Sequence, residues 1–229
     1  MPALDLGIEC ATDEPSIALL DGERALVERA WTVTTTLTRE LLAAIDGALR
    51  DAGVARTDLA SIAVDVGPGA YTGLRTAVAT AQGIALALGI PLAGVGRLEA
   101  AAFPHLAAGA PVVAIHDVGR GNVAWAAYRA RAPGAPPEEL RAPGIDAGED
   151  CVRAAPAGAL WCGELPDALR EARAAAGRGA DPEAAGGENI PRAASLVRLG
   201  RLHAAYGDPA LVDAVYLRPP PITRPRQPA

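Results

Sequence analysis

Apolar positions fall into short runs at the start of the chain and at helical spacing after it. Leu4 to Glu9, Ser16 to Leu20 and Ala25 to Thr34 read as three strands, separated by the turn Thr12-Asp13-Glu14-Pro15 and by Asp21-Gly22. Their order predicts an antiparallel meander. Leu37, Leu41, Leu42, Ile45 and Leu49 then recur three and four apart, with Thr36 or Thr38 as cap and Gly53 as stop, which predicts a helix. A β-branched strand, Ile62 to Val66, breaks at Gly67-Pro68-Gly69. The chain restarts at Thr72, whose side-chain oxygen suits a cap, and runs as a helix from Gly73 to Leu88, ended by Gly89 and followed by a strand from Pro91 to Val95. Strands first and helix–strand alternation after them argue for a mixed sheet with helices packed on it.

A second unit starts near Pro111. Val112 to His116 and Asn122 to Tyr128 read as a hairpin, and the prolines of 133–143 predict a loop. The stretch 177–191, rich in Gly, Ala and acid, reads as a flexible loop, and Arg192 to Tyr206 as a helix ended by Gly207, with His203 a half-buried helix residue. The tail 219–229 holds five prolines with Arg224 and Arg226 and reads as mobile. The expected division is a first lobe over 1–108, a smaller lobe over 109–218, and that tail.

Composition narrows the chemistry. Half of the 229 residues are apolar but only 3% are aromatic, so the core is built from Ala, Val and Leu and its helices approach closely. All 21 basic residues are arginine, which excludes a P-loop lysine, a Schiff-base lysine and a lysine general base. Cys10, Cys151 and Cys162 have neither metal-pair nor redox-pair spacing and read as buried thiols. His105, His116 and His203 are too scattered for a local metal site, and Ser16, Ser61 and Ser195 form no Gly-x-Ser-x-Gly elbow. No catalytic residue and no metal ligand is expected. With no apolar run of spanning length and no charged-then-apolar N-terminus, the expectation is a cytoplasmic protein, neither exported nor inserted. A formal charge of −6, with no arginine stripe and no interleaved aromatics, opposes tight RNA binding by the chain itself.

The most informative stretch is Val64 to Arg75. A strand, a glycine turn and a helix start in succession aim helical N–H groups at the sheet edge, which suits an anion, though most such junctions are only turns. The candidate phosphate-turn residues are Gly67, Gly69, Thr72, Gly73 and Arg75. Arg75 in a helix's first turn opposes the helix dipole and calls for compensation, by an ion pair with Asp65, Glu9 or Glu99 or by an anion or partner carboxylate.

Gly-Pro-Gly-Ala-Tyr-Thr-Gly-Leu-Arg over 67–75, Ala79-Thr80-Ala81-Gln82-Gly83, Leu88 to Val95 with Leu98-Glu99-Ala100, Val112 to Ile115 and Val215-Tyr216-Leu217-Arg218-Pro219 together resemble the bacterial TsaB (YeaZ) family. The resemblance is densest over 61–102. It implies an α/β chain of the actin/Hsp70-like (ribonuclease H-like) fold with two subdomains. It also implies a non-catalytic partner subunit of the machinery that installs threonylcarbamoyl on adenosine 37 of tRNA. The implied partners are a catalytic threonylcarbamoyltransferase (TsaD-like) and an accessory ATPase (TsaE-like), with tRNA reached indirectly. ATP is then used by the assembled complex and not bound tightly by this chain alone, and monomer and homodimer stay open for the isolated chain. The family's Asp-Thr-Ser at the end of the first strand is here Glu9-Cys10-Ala11, which puts an inherited phosphate contact in doubt. The alternative from another class is a nucleotide-binding protein or enzyme of the same fold that uses the 67–75 turn for phosphate.

The partner surface is expected on the two N-terminal helices. Ala77, Ala81 and Ala85 fall four apart, with Thr76, Thr80 and Gly83 beside them, while Leu74, Val78 and Leu88 mark a sheet-facing side. A small-residue stripe lets another helix come close, and Leu42 and Leu49 leave apolar surface on the first helix. Leu42, Asp46, Leu49, Ala77, Thr80, Ala81 and Ile84 are therefore the expected contacts, half of a four-helix bundle that a partner of the same fold completes.

Overall fold

A computed structural model describes residues 4–106, 109–132, 134–184 and 193–218. The expected tail at 219–229 and most of the second half of the expected loop at 177–191 lie outside the described residues. The first sheet joins β1 (Leu4–Glu9), β2 (Ser16–Asp21), β3 (Arg24–Ala30), β4 (Leu59–Asp65) and β5 (Leu92–Val95) in the order β3-β2-β1-β4-β5. The first three strands form the expected antiparallel meander, and β1, β4 and β5 pair in parallel. The second sheet has the order β8-β7-β6-β9, from β6 (Pro111–Asp117), β7 (Asn122–Arg129), β8 (Glu138–Ala147) and β9 (Leu160–Gly163).

Helices cover both faces of the first sheet. Because successive strand residues point to opposite faces, Leu19 of β2 faces α1 (Leu37–Ala52) and α2 (Tyr71–Leu88) in one cluster, while Ala18 and Leu20 face α6 (Ala193–Leu202) in another. Helix α6 sits on β1 so closely that a Cβ at Gly7 would lie 2.1 Å from the Ala193 carbonyl oxygen. The chain after residue 192 thus returns to the first sheet, unlike the expected continuous second lobe. Short helices α3 (Arg97–Ala102), α4 (Gly148–Ala154) and α5 (Asp167–Ala175) complete the described fold, with α3 packed between α6 and the second sheet. No helix among the described residues is long and apolar enough to cross a membrane.

The caps differ from expectation at three of five ends. Gly53 and Gly89 close α1 and α2 in the left-handed conformation, as expected. Thr36 occupies the cap position of α1 without a side-chain bond; Glu40 reaches back instead and accepts from the Thr34 and Thr35 backbone and hydroxyls and from the Trp31 indole. Helix α2 begins two residues earlier than expected, with Ala70 at the cap and Thr72 exposed in the first turn. Helix α6 ends at Leu202, so His203 follows it and hydrogen-bonds Glu99 at 2.7 Å.

The prolines of 133–143 misled for a specific reason. β8 runs from Glu138 through Pro143, because it is an edge strand and the ladder slips there: Trp125 pairs with Gly144 and Ala127 with Arg141, so Ala142 and Pro143 bulge opposite one residue.

Candidate functional site

The glycine turn between β4 and α2 is packed against the turn after β1. A Cβ at Gly73 would lie 2.0 Å from the Cys10 carbonyl oxygen, and one at Gly69 would lie 2.4 Å from the Ala11 Cβ. Three N–H groups of this turn have protein acceptors: Gly67 donates to Asp65 Oδ1 at 2.7 Å, Ala70 to the Ala11 carbonyl at 2.8 Å and Leu74 to the Ala70 carbonyl at 3.0 Å. Glu9 completes the contact, its Oε1 accepting from the Ala11 N–H at 3.0 Å. The Glu9-Cys10-Ala11 departure is thus part of the packing that holds the turn. Gly67, with φ 108° and a cis bond to Pro68, lies under the C-terminal strap, where Val215 donates to the Val66 carbonyl at 2.7 Å. Gln82 pins the same strap by donating to the Pro209 and Val212 carbonyls at 3.0 and 2.8 Å.

Arg75 does not make the expected ion pair. It is exposed, its guanidinium over the Tyr71 ring at 5.5 Å, and Tyr71 stacks on Tyr216 with centroids 5.1 Å apart. The cation that serves the buried carboxylates is Arg97, at the start of α3. It is 2% exposed, bonds Glu164 at the end of β9, and has its Nε 3.9 Å from Glu9. Burial works against its charge, and Glu164, Glu9 and Asp65 outweigh that and hold it. His116 of β6 joins them, with Nδ1 2.8 Å from Glu164. Burial would raise the Glu164 carboxyl, but the His116 hydrogen bond and the Arg97 charge bring it down to about 2.

His116 and Glu164 of this cluster line a cleft of about 770 Å³ together with Ala11, Thr12, Gly69 and Asp117. Among the described residues no group of three or more His, Cys, Asp or Glu is arranged to hold a metal. The three cysteines are free and buried, as expected, and burial raises the Cys10 and Cys151 thiols, the latter to about 12. Sequence reasoning passed over Arg97 and treated His116 as isolated. The available signal was Glu9 itself, since an acid ending an otherwise buried strand requires a cation.

The expected partner residues divide into two groups. Leu42 is 50% exposed and Asp46 is exposed, while Thr80 and Ile84 are half-buried. Ala77 and Ala81 are fully buried and Leu49 nearly so, all within the cluster beneath the sheet-facing side of α1 and α2. The alanine stripe with Leu74 and Val78 is the sheet-facing side, which corrects the expected orientation: small residues serve the approach of α2 to β1 and β4. The outer face of α2 carries Ala79, Gly83, Leu86 and Ala87, and a Cβ at Gly83 would meet nothing within 4 Å.

With this geometry in place, the likeness to known proteins is informative. The tRNA threonylcarbamoyladenosine biosynthesis proteins TsaB of Bacillus subtilis and Escherichia coli are 31% and 30% identical over 124 and 131 residues, 54% of this chain and of each relative. The solved structure of YeaZ from Pseudomonas aeruginosa superposes with a TM-score of 0.71 at 25% identity, covering 94% of this chain and all of that one. The chain resembles TsaB (YeaZ) proteins over about half its length in sequence and over nearly all of it in fold. Its two sheets with flanking helices are the actin/Hsp70-like, ribonuclease H-like fold. It spans about half the length of the curated relatives it matches. A family model described as TsaD, tRNA N6-adenosine threonylcarbamoyltransferase, matches residues 33–134, a span that contains α1, the glycine turn and α2.

Proposed function

We propose that this protein is a cytoplasmic, non-catalytic subunit of the assembly that makes threonylcarbamoyladenosine at position 37 of tRNA. Its role is to bind and organise the catalytic threonylcarbamoyltransferase. The observation that carries this reading is the outer face of α1 and α2, where Leu42, Asp46, Thr80, Ile84 and Leu86 are exposed or half-buried. The match of the catalytic family's model to residues 33–134 supports a partner that carries the same two helices. Two helices from each chain then complete a four-helix bundle, burying about 800 Å² per side. An accessory ATPase and tRNA join through the complex, and ATP is consumed there.

The alternative, a phosphate held by the 67–75 turn, is disfavoured. The N–H groups of Gly67 and Ala70 are already engaged, the space at Gly69 and Gly73 is filled by Ala11 and Cys10, and a carboxylate, Glu9, stands at the turn. Nucleotide binding by the isolated chain is therefore expected to be weak.

The test is reconstitution. The purified chain is mixed with the catalytic threonylcarbamoyltransferase, and both complex formation and modification of tRNA are measured with and without it. A stable complex whose modification activity depends on this chain supports the reading; tight ATP binding by the chain alone, without complex formation, favours the alternative.

A further inference from the structure

One nitrogen atom at the base of the cleft carries two hydrogen-bond demands that no single protonation state satisfies. Nδ1 of His116 lies 2.5 Å from a terminal nitrogen of Arg97 and 2.8 Å from Oε2 of Glu164. A guanidinium in a protein stays charged and only donates, so Arg97 calls for a bare Nδ1. An ionised carboxylate only accepts, so Glu164 calls for a protonated one. Arg97 and Glu164 also pair with each other, closing a triangle in which one proton changes two sides.

The place of this triangle in the fold gives it a consequence. His116 and Glu164 belong to the second sheet's lobe, at the ends of β6 and β9. Arg97 sits on α3 between the lobes, its N–H donated to the Gly67 carbonyl of the first lobe at 2.9 Å and its Nε 3.9 Å from Glu9 of β1. We infer that His116 is a proton-operated joint between the two lobes. With Nδ1 bare, His116 accepts from Arg97, and two groups of the second lobe hold the guanidinium. With Nδ1 protonated, His116 donates to Glu164, and the released Arg97 N–H turns to Glu9 and Asp65 of the first lobe. Protonation thus removes one of the two second-lobe bonds to Arg97, leaves its pair with Glu164, and loosens the seam under the cleft.

The charged groups that bear on this proton are few. Arg97 faces it from α3 and Glu164 from the end of β9, while Asp13 and Glu14 line the same cleft from the turn after β1. Asp117 follows it on β6, with Oδ1 held by the Gly119 N–H, and the residue opposite on β7 is the uncharged Ala124. Unperturbed imidazole changes charge between about pH 5 and 8, which sets the interval of the test. This inference does not depend on which partner the chain binds.

The test joins two readouts on the full chain. Nitrogen-15 NMR of the imidazole reports whether Nδ1 is bare or protonated. Spin labels on cysteines placed at the exposed Ala43 of α1 and Ala154 of α4 report the distance between lobes, the native cysteines being buried. From pH 8 to pH 5, Nδ1 is expected to pass from the acceptor to the protonated signal, and the distance distribution to shift over the same interval. In His116→Asn, which keeps His105 and His203, the distance shift is expected to vanish. A protonated Nδ1 already at pH 8, a distribution that does not move as Nδ1 titrates, or an equal shift in His116→Asn would overturn the proposal; the NMR arm needs no variant.

Discussion

Gly73 lies directly against the carbonyl oxygen of Cys10, so close that a Cβ there would come within 2.0 Å of it. The contact joins the start of α2 to the end of β1 and leaves no room for an anion between them. Backbone oxygen cannot move aside as a side chain can, so Gly73→Ala is expected to cost at least the ~1–3 kcal/mol typical of overpacking. Gly83→Ala, ten residues along the same helix with open space at its Cβ, is expected to stabilise by ~1 kcal/mol through helix propensity. Urea denaturation of the two variants checks the pair, and a neutral Gly73→Ala would show that the turn is not packed as described.

Ala81 and Leu42 should respond oppositely to charge. Ala81→Arg buries an unpaired cation where exposure is 0% and is expected to cost more than about 4 kcal/mol or to prevent folding. Leu42→Asp, at a position half open to solvent, is expected to change stability by less than about 0.5 kcal/mol. Thermal melts of the isolated chain distinguish them.

The acid limit of stability should depend on Glu164. Its carboxyl is held at about 2 in the folded chain, below its value in an unfolded one, so its contribution is present above the ordinary carboxylate range and is lost as pH falls toward 2. Glu164→Gln is expected to lose it and to flatten the fall in stability between about pH 4.5 and 2, measured by denaturation across that range.

Gln82 ties the C-terminal strap to α2 by two hydrogen bonds from one amide nitrogen. Gln82→Ala is expected to cost ~1–2 kcal/mol and to raise hydrogen exchange over 209–216 before the sheet itself is affected. Unchanged exchange in that segment would show that the strap is held by Val215 and Tyr216 alone.

Much of the fold was legible from periodicity. The meander, α1, β4, α2 and the hairpin of β6 and β7 all carry apolar patterns bounded by turn residues, and Gly53 and Gly89 stop their helices where expected. What was not legible has physical causes. Pro143 marks a bulge on an edge strand, where a missing N–H costs nothing to the ladder. Ala77 and Ala81 read as a groove for a partner because small residues fit both a partner and a sheet, and only the packing of α2 on β1 and β4 decides between them. Arg97 stood outside every motif. Its role arises from Glu9, His116 and Glu164 converging from strands far apart in sequence, which no local pattern records.

The central claim, that this chain works by pairing through the outer face of α1 and α2, is tested most directly by calorimetric titration against the catalytic threonylcarbamoyltransferase. Wild-type chain is expected to form a one-to-one complex. Leu42→Asp and Thr80→Arg, with melting temperatures close to wild type, are expected to weaken it by at least tenfold, or about 1.4 kcal/mol. Absence of a complex with the wild type, or wild-type affinity in both variants, would contradict the account.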